Sequence, residues 1–219
     1  MRALAKLLIL SAFFSIFVNT VQVFGGPLED GLLDAVRSRD LKKVEEMIAK
    51  GANVNAKDSD GFTALMEASV EGGIDVVKLL LVKGADINSQ NEDGDTALIG
   101  ASFAGHTELV KLLLDKGANV NLVNKDGVSA LFMAAFEGRP DVVKLLLDKG
   151  ADVNAKEHRN GATALIVASF EGHKDVVDFL LAKGAAMNAK DNEGNTALSL
   201  ATARGHEELV KLLKSRASK

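Results

Sequence analysis

The sequence predicts an all-α solenoid of about six stacked helix-turn-helix units, with turns that project like β-hairpins. Two internal repeats and one asymmetry at the ends carry that expectation. "TALM" begins at Thr63, and its counterparts begin at Thr96, Ser129, Thr163 and Thr196, at intervals of 33, 33, 34 and 33 residues. A second block, "KGANVN" from Lys50, recurs from Lys83, Lys116, Lys149 and Lys183. A fixed period of this size marks a stack of like supersecondary units. The ends differ from the rest: Leu28–Lys50 has no Thr before its first helix, and the chain stops at "KLLKSRASK" with no following turn. Terminal units of a stack need a polar outer face, which fits both departures.

One unit, residues 91–123, shows how each element arises. Thr96 is a good N-cap because its hydroxyl can accept from a free amide at the helix start. "ALIGASFA" then runs as a short helix and stops at Gly105. His106 or Thr107 opens a second helix, "ELVKLLLDK", whose Leu109, Val110, Leu112, Leu113 and Leu114 form an apolar face. Gly117 tolerates the left-handed backbone that ends a helix. "ANVNLVNKDG" reverses the chain through Asn, Asp and Gly. Neither helix can bury its apolar side alone, so the units must stack. Their approximate limits are 28–57 for the N-terminal cap, then 58–90, 91–123, 124–157 and 158–190, and 191–219 for the C-terminal cap.

Composition narrows the function. The 219 residues are 47% apolar and 26% charged, with ten Phe and no Trp, Tyr or Cys. Without Cys there is no disulfide, thiolate metal site or Cys nucleophile. Residues 1–25 have the layout of a secretory signal peptide: Arg2 and Lys6, an apolar run over Leu7–Val18, then small residues before a cleavage point after Gly25. The run is short of the roughly 20 residues a membrane span needs. The other reading is an uncleaved N-terminal anchor, since Val21, Val23 and Phe24 extend the run. Removal leaves residues 26–219 with 24 Lys and Arg against 30 Asp and Glu. That acidic balance speaks against nucleic acid and against anionic membrane surfaces.

The 33-residue period, T-A-L at the first helix, G-H before the second, "VVKLLL" and "KGADVN" resemble ankyrin repeats over roughly Leu28 to Ser215. The resemblance implies a curved right-handed stack that recognises another protein through turn tips and the concave row of first helices. Ala64, Ala97, Ala130, Ala164 and Ala197 stand where the family favours Pro, and Met66, Ile99, Phe132, Ile166 and Ser199 where it favours His. The style is similar to many bacterial members of the family.

Residues that could suggest chemistry repeat with the scaffold. His106, His173 and His206 share a slot that Gly73 and Arg139 fill elsewhere. Neighbouring helices pack about 8–10 Å apart, too far for two such rings to share an ion at about 2 Å. Ser69, Ser102 and Ser169 share another slot, replaced by Ala135 and Thr202. No nucleophile-elbow pattern surrounds them. Asp93-Gly94 and Asp126-Gly127 are turn residues without the ligand series of a calcium loop. Asp75/Lys78, Glu108/Lys111 and Asp141/Lys144 read as a solvated outer face, each worth a few tenths of a kcal/mol. No catalytic residue, metal or cofactor is expected.

The candidate partner surface is a stripe. Val70, Phe103, Phe136 and Phe170 occupy one slot near the end of the first helix. At steps of roughly 10 Å they would form a line about 30 Å long. Half-exposed rings would give roughly 300 Å² of apolar patch, in the range of interaction sites; rings leaning on the next unit would instead be core. Glu71, Glu137 and Glu171 follow the stripe, so it would suit an apolar segment flanked by Lys or Arg. Turn tips add Asp60, Phe62, Asp93, Asp95 and Asp126, with Glu92 on the same acidic edge. His158 and Arg159 break that edge in "AKEHRNGAT", the turn with the extra residue, which is otherwise a tolerated loop insertion. The expectation is a monomeric protein-binding module, periplasmic or secreted. Alternatives are a stabilising or inhibitory, immunity-type subunit of an exported enzyme, or a secreted effector acting on a host protein.

Overall fold

The computed structural model describes residues 26–217. The segment expected to be a signal peptide lies outside them. Among the described residues, twelve α-helices run in pairs: α1 Pro27–Arg37 and α2 Leu41–Ala49, α3 Ala64–Val70 and α4 Ile74–Val82, α5 Ala97–Ala104 and α6 Thr107–Asp115. The second half repeats the pattern with α7 Ala130–Phe136 and α8 Pro140–Asp148, α9 Ala164–Glu171 and α10 Lys174–Ala182, α11 Ala197–Arg204 and α12 Glu207–Ala217. Among the described residues, no helix is long and apolar enough to cross a membrane.

Local chemistry sets the start of each first helix. The hydroxyls of Thr63, Thr96, Ser129, Thr163 and Thr196 accept from the amides of Met66, Ile99, Phe132, Ile166 and Ser199 at 3.2–3.3 Å. At these helix starts the side-chain bond satisfies one of the otherwise unpaired amides. Before each cap the chain makes a narrow hairpin, closed by single antiparallel bridges at Lys57–Thr63, Val123–Ser129 and Lys156–Thr163.

The first helices pack in one row and the second helices in another, and the first row is the tighter of the two. The stack therefore bends toward the first helices, which line its concave side. Small residues permit the approach: Val70 of α3 sits on Gly100 of α5, where an added Cβ would lie 2.7 Å from Val70 Cγ2. Leu65, Leu98, Leu131 and Leu165 fill the interior with Leu80, Leu113, Leu146 and Leu180 of the second helices, all 2% exposed or less. The buried side chains form one continuous core from Leu32 to Leu213. In the last unit Ser199 and Thr202 are exposed, at slots that are buried in the four units before it.

Three hydrogen-bond ladders tie unit to unit. At the hairpin tips, the amides of Glu92, Lys125, His158 and Asn192 donate to the carbonyls of Asp60, Asp93, Asp126 and Asn160 at 2.7–3.0 Å. At the other end, the last Asn of the "KGADVN" block reaches the next unit. Asn121 accepts from the Asp152 amide at 2.9 Å and donates to the Gly150 carbonyl at 3.2 Å. Asn55 and Asn154 make both equivalent bonds, and Asn88 accepts from the Asn119 amide. The third ladder belongs to the histidines. Nε2 of His106, His173 and His206 lies 2.9, 2.9 and 3.0 Å from the carbonyls of Val70, Phe136 and Phe170. A carbonyl only accepts, so Nε2 carries the proton in each ring. Each ring also covers a glycine of the preceding unit; a Cβ on Gly138 would lie 2.5 Å from His173 Nδ1.

The outer face is linked differently from the sequence expectation. Asp75 and Lys78 pair at 3.6 Å, but Glu108/Lys111 and Asp141/Lys144 do not appear among the ion pairs of the described residues. Lysines instead reach across units, Lys149 to Asp115 and Lys183 to Asp148, both at 2.7 Å. These hydrogen bonds hold both carboxyls below the usual carboxylate range.

Candidate functional site

Two surfaces could meet a partner: the concave row of first helices and the edge made by the hairpin tips. The stripe slot lies at the C-terminal end of the first helices, where each side chain leans toward the next unit. Its four members are not equivalent. Phe136 is only 8% exposed and belongs to the core, which corrects its assignment to an open partner surface. Val70, Phe103 and Phe170 are half-buried. Val70 is seated on Gly100. Phe170 is roofed by Arg204, whose guanidinium carbon lies 3.8 Å from the ring centroid, a cation–π contact. An unbroken apolar ridge is therefore not what this face presents.

The carboxylates beside the stripe are partly engaged. Glu71 pairs with Arg39 at 3.0 Å, and Arg39 also donates to the Glu71 carbonyl. Glu137 lies 3.9 Å from Arg139. Glu171 is half-buried. Glu67, one turn earlier than Glu71, takes the Arg37 guanidinium at 2.7 Å. Arg37 and Arg39 belong to the charged N-terminal cap, and periodicity gives them no partners because that irregular unit has no repeat to align with. Arg39 adopts φ 55° at the slot where every later unit has glycine.

At the tips, Asp60, Glu92, Asp93, His158 and Arg159 are exposed as expected, whereas Phe62 and Asp126 are half-buried. Asp95 is a correction: it is 7% exposed and points inward. Its carboxylate accepts from Asn124 Nδ2 at 2.9 Å, and its amide donates to Asn91 Oδ1 at 2.7 Å. Burial pushes the Asp95 carboxyl above the ordinary range, the Asn124 bond opposes this, and the nearby Asp93 charge adds to it. Arg159 does not stand free; Nε donates to Asp126 at 2.7 Å.

The irregular turn has an anchor that the motif reading missed. Each hairpin is gathered by one side chain at its start: Asp58, Asn91, Asn124, Glu157 and Asp191 accept from backbone amides within the turn. Only the 34-residue unit uses Glu. Buried Glu157 takes the amides of Arg159, Asn160 and Ala162 at 2.7, 2.7 and 3.0 Å. One extra methylene spans the one extra residue. Aligning the turns by their hydrogen-bonding slot, instead of by "TAL", exposes this signal in the sequence.

No chemistry converges at any of these places. Ser69 donates to the Leu65 carbonyl at 2.7 Å, while the Ser102 and Ser169 hydroxyls are buried without a partner. Each histidine is occupied by a carbonyl of the preceding unit.

The paired helices, tip hairpins and inter-unit ladders define a helical repeat solenoid built for contact along its length. A family model described as ankyrin repeats (3 copies) matches residues 5–91, 70–157 and 155–219. The chain belongs to the ankyrin-repeat family. Repeats of this family generally mediate protein–protein interaction, which supports a binding module. Comparison with curated proteins returns no match.

Proposed function

We propose that this chain is exported and, after loss of residues 1–25, acts without catalysis by holding one partner protein along its hairpin edge and concave face. The observation that carries this reading is the tip ladder. Four backbone hydrogen bonds join five consecutive hairpins, so the exposed tip side chains are presented on a rigid rail and not on independent loops. A pre-ordered surface loses little entropy on binding, which favours affinity. At the other end of the first helices, the half-buried Phe103 and the ring edge of Phe170 beside Arg204 serve as apolar anchors on the concave face. Buried Phe136 and Asp95 act through the scaffold.

The test is capture of a partner by the exported product of the full chain, tagged at its C-terminus. Phe103→Ser with Phe170→Ser should weaken that partner by about tenfold or more, the loss of roughly one anchor residue, at a melting temperature within a few degrees of the parent. Unchanged affinity in the folded variant would refute the concave site. The mass of the exported protein checks processing: a mass equal to the full 219 residues would refute cleavage.

A further inference from the structure

Charge is divided between the two faces of the stack in a way that composition hides. Over the first helices and their hairpins (27–39, 57–72, 90–105, 123–138, 156–172 and 190–205) there are 16 Asp and Glu against 8 Lys and Arg. Over the second helices and following loops of the first five units (40–56, 73–89, 106–122, 139–155 and 173–189), acids and bases are equal in each, and the last helix, 207–217, has 2 acids against 3 bases. The two-to-one excess on the other face is concentrated in the first three units, with 10 acids against 3 bases, and gives a negative field along that part of the concave side and its edge.

The excess is least neutralised over the first three units. Their inner face has three bases, and all are engaged by the chain's own groups: Arg37 with Asp58 and Glu67, Arg39 with Glu71, Lys57 with the Gln90 carbonyl. The exposed carboxylates of Asp60, Glu92 and Asp93 are in no ion pair among the described residues. At the far end of the same face the chain seats a cation of its own, Arg204 over Phe170. Asp60 and Asp93 hold the same place in consecutive hairpins, one unit apart at about 10 Å, the spacing of packed helices. A polyproline-type segment rises about 3.1 Å per residue with three residues per turn, so every third side chain returns to one side after about 9.3 Å.

We propose that the hairpin edge of units two and three takes a cationic, extended segment of the partner protein, with Lys or Arg three positions apart. This rests on the recognition role proposed above and adds the charge and register of what is recognised. A fluorescein-labelled peptide of four Lys-Pro-Pro repeats is the probe, against an isomer with its four Lys consecutive, both with the exported product of the full chain at low salt. The repeat peptide should bind, and the isomer should bind about threefold more weakly. Asp60→Lys with Glu92→Lys and Asp93→Lys should weaken the repeat peptide by about tenfold, several exposed pairs at a few tenths to one kcal/mol each. Asp75→Lys with Glu108→Lys and Asp141→Lys makes the same change in net charge on the outer face and should shift binding less than about twofold. All these sites are exposed, and thermal melts check that both variants remain folded. Equal losses in the two variants, or no binding by the repeat peptide, overturn the proposal. Equal binding of the isomer overturns the register. If the natural partner's capture is sensitive to the Phe103 and Phe170 changes but indifferent to the inner charge reversal, recognition stands and the cationic segment falls.

Discussion

Asp95 occupies the slot that Phe62, Val128, Ala162 and Asn195 fill in other hairpins, so it is the one charged side chain there. A buried carboxylate meets an unfavourable environment, offset by the Asn124 hydrogen bond. Burial first, and Asp93 nearby, raise its folded pKa above the unfolded value. The stability linked to this group is therefore fully present below the unfolded pKa and is lost as pH rises through the folded pKa. Asp95→Asn keeps an acceptor for Asn124 and removes the charge. It should raise the melting temperature at pH 7 by about 2–4 °C, and the gain should vanish below about pH 4. Melts across that range check the sign; a gain that persists at low pH would refute it. Ser102 and Ser169 show the same tolerance in milder form, a small hydroxyl left unbonded where Ala135 serves equally well in the unit between them.

The element where local chemistry matters most is the 34-residue unit's hairpin. Its length departs from its neighbours by one residue, and Glu157 compensates by reach, gathering three amides at 2.7–3.0 Å. Glu157→Asp is a conservative change by type but one methylene short. It should cost about 1–3 kcal/mol, the range for hydrogen bonds to a charged group, read from the urea midpoint. Deleting Arg159 in the same variant restores the turn length of the neighbouring units, with Asp in the role Asp191 already plays. Most of the loss should return. If the deletion instead adds to the loss, Glu157 is not a length compensator.

At the scale of the whole molecule, the stack is nearly one-dimensional: each unit touches only its neighbours, so coupling resides in the interfaces. Their chemistry varies along the chain. The histidine tie links units two and three, four and five, and five and six. Between units three and four, Arg139 lies over Gly105 in its place. His173→Ala removes the tie between units four and five and should cost about 1 kcal/mol. Hydrogen exchange should then quicken chiefly in residues 164–217, with protection in units two and three retained. Uniform acceleration through all units would contradict nearest-neighbour coupling. On the outer face, Val82 is 81% exposed at the slot where Asp115 and Asp148 hold the next unit's Lys. The interface between units two and three lacks that pair.

Period, helix limits and caps were legible in the sequence because they depend on neighbours three or four residues away. Thr96, the helix over 97–104 and Gly105 follow from local hydrogen bonding and backbone freedom alone. The scaffold character of the histidines followed from their spacing, but their purpose did not, since each bond spans 36 or 37 residues. The stripe shows the limit most directly. Phe103, Phe136 and Phe170 share a slot and a residue type, yet one is core, one half-buried and one roofed by Arg204. Exposure at that slot is set by whatever the next unit places against it. A linear string of residues contains the repeat and its chemistry; only the stacked structure decides which copies of a repeated side chain remain open to a partner.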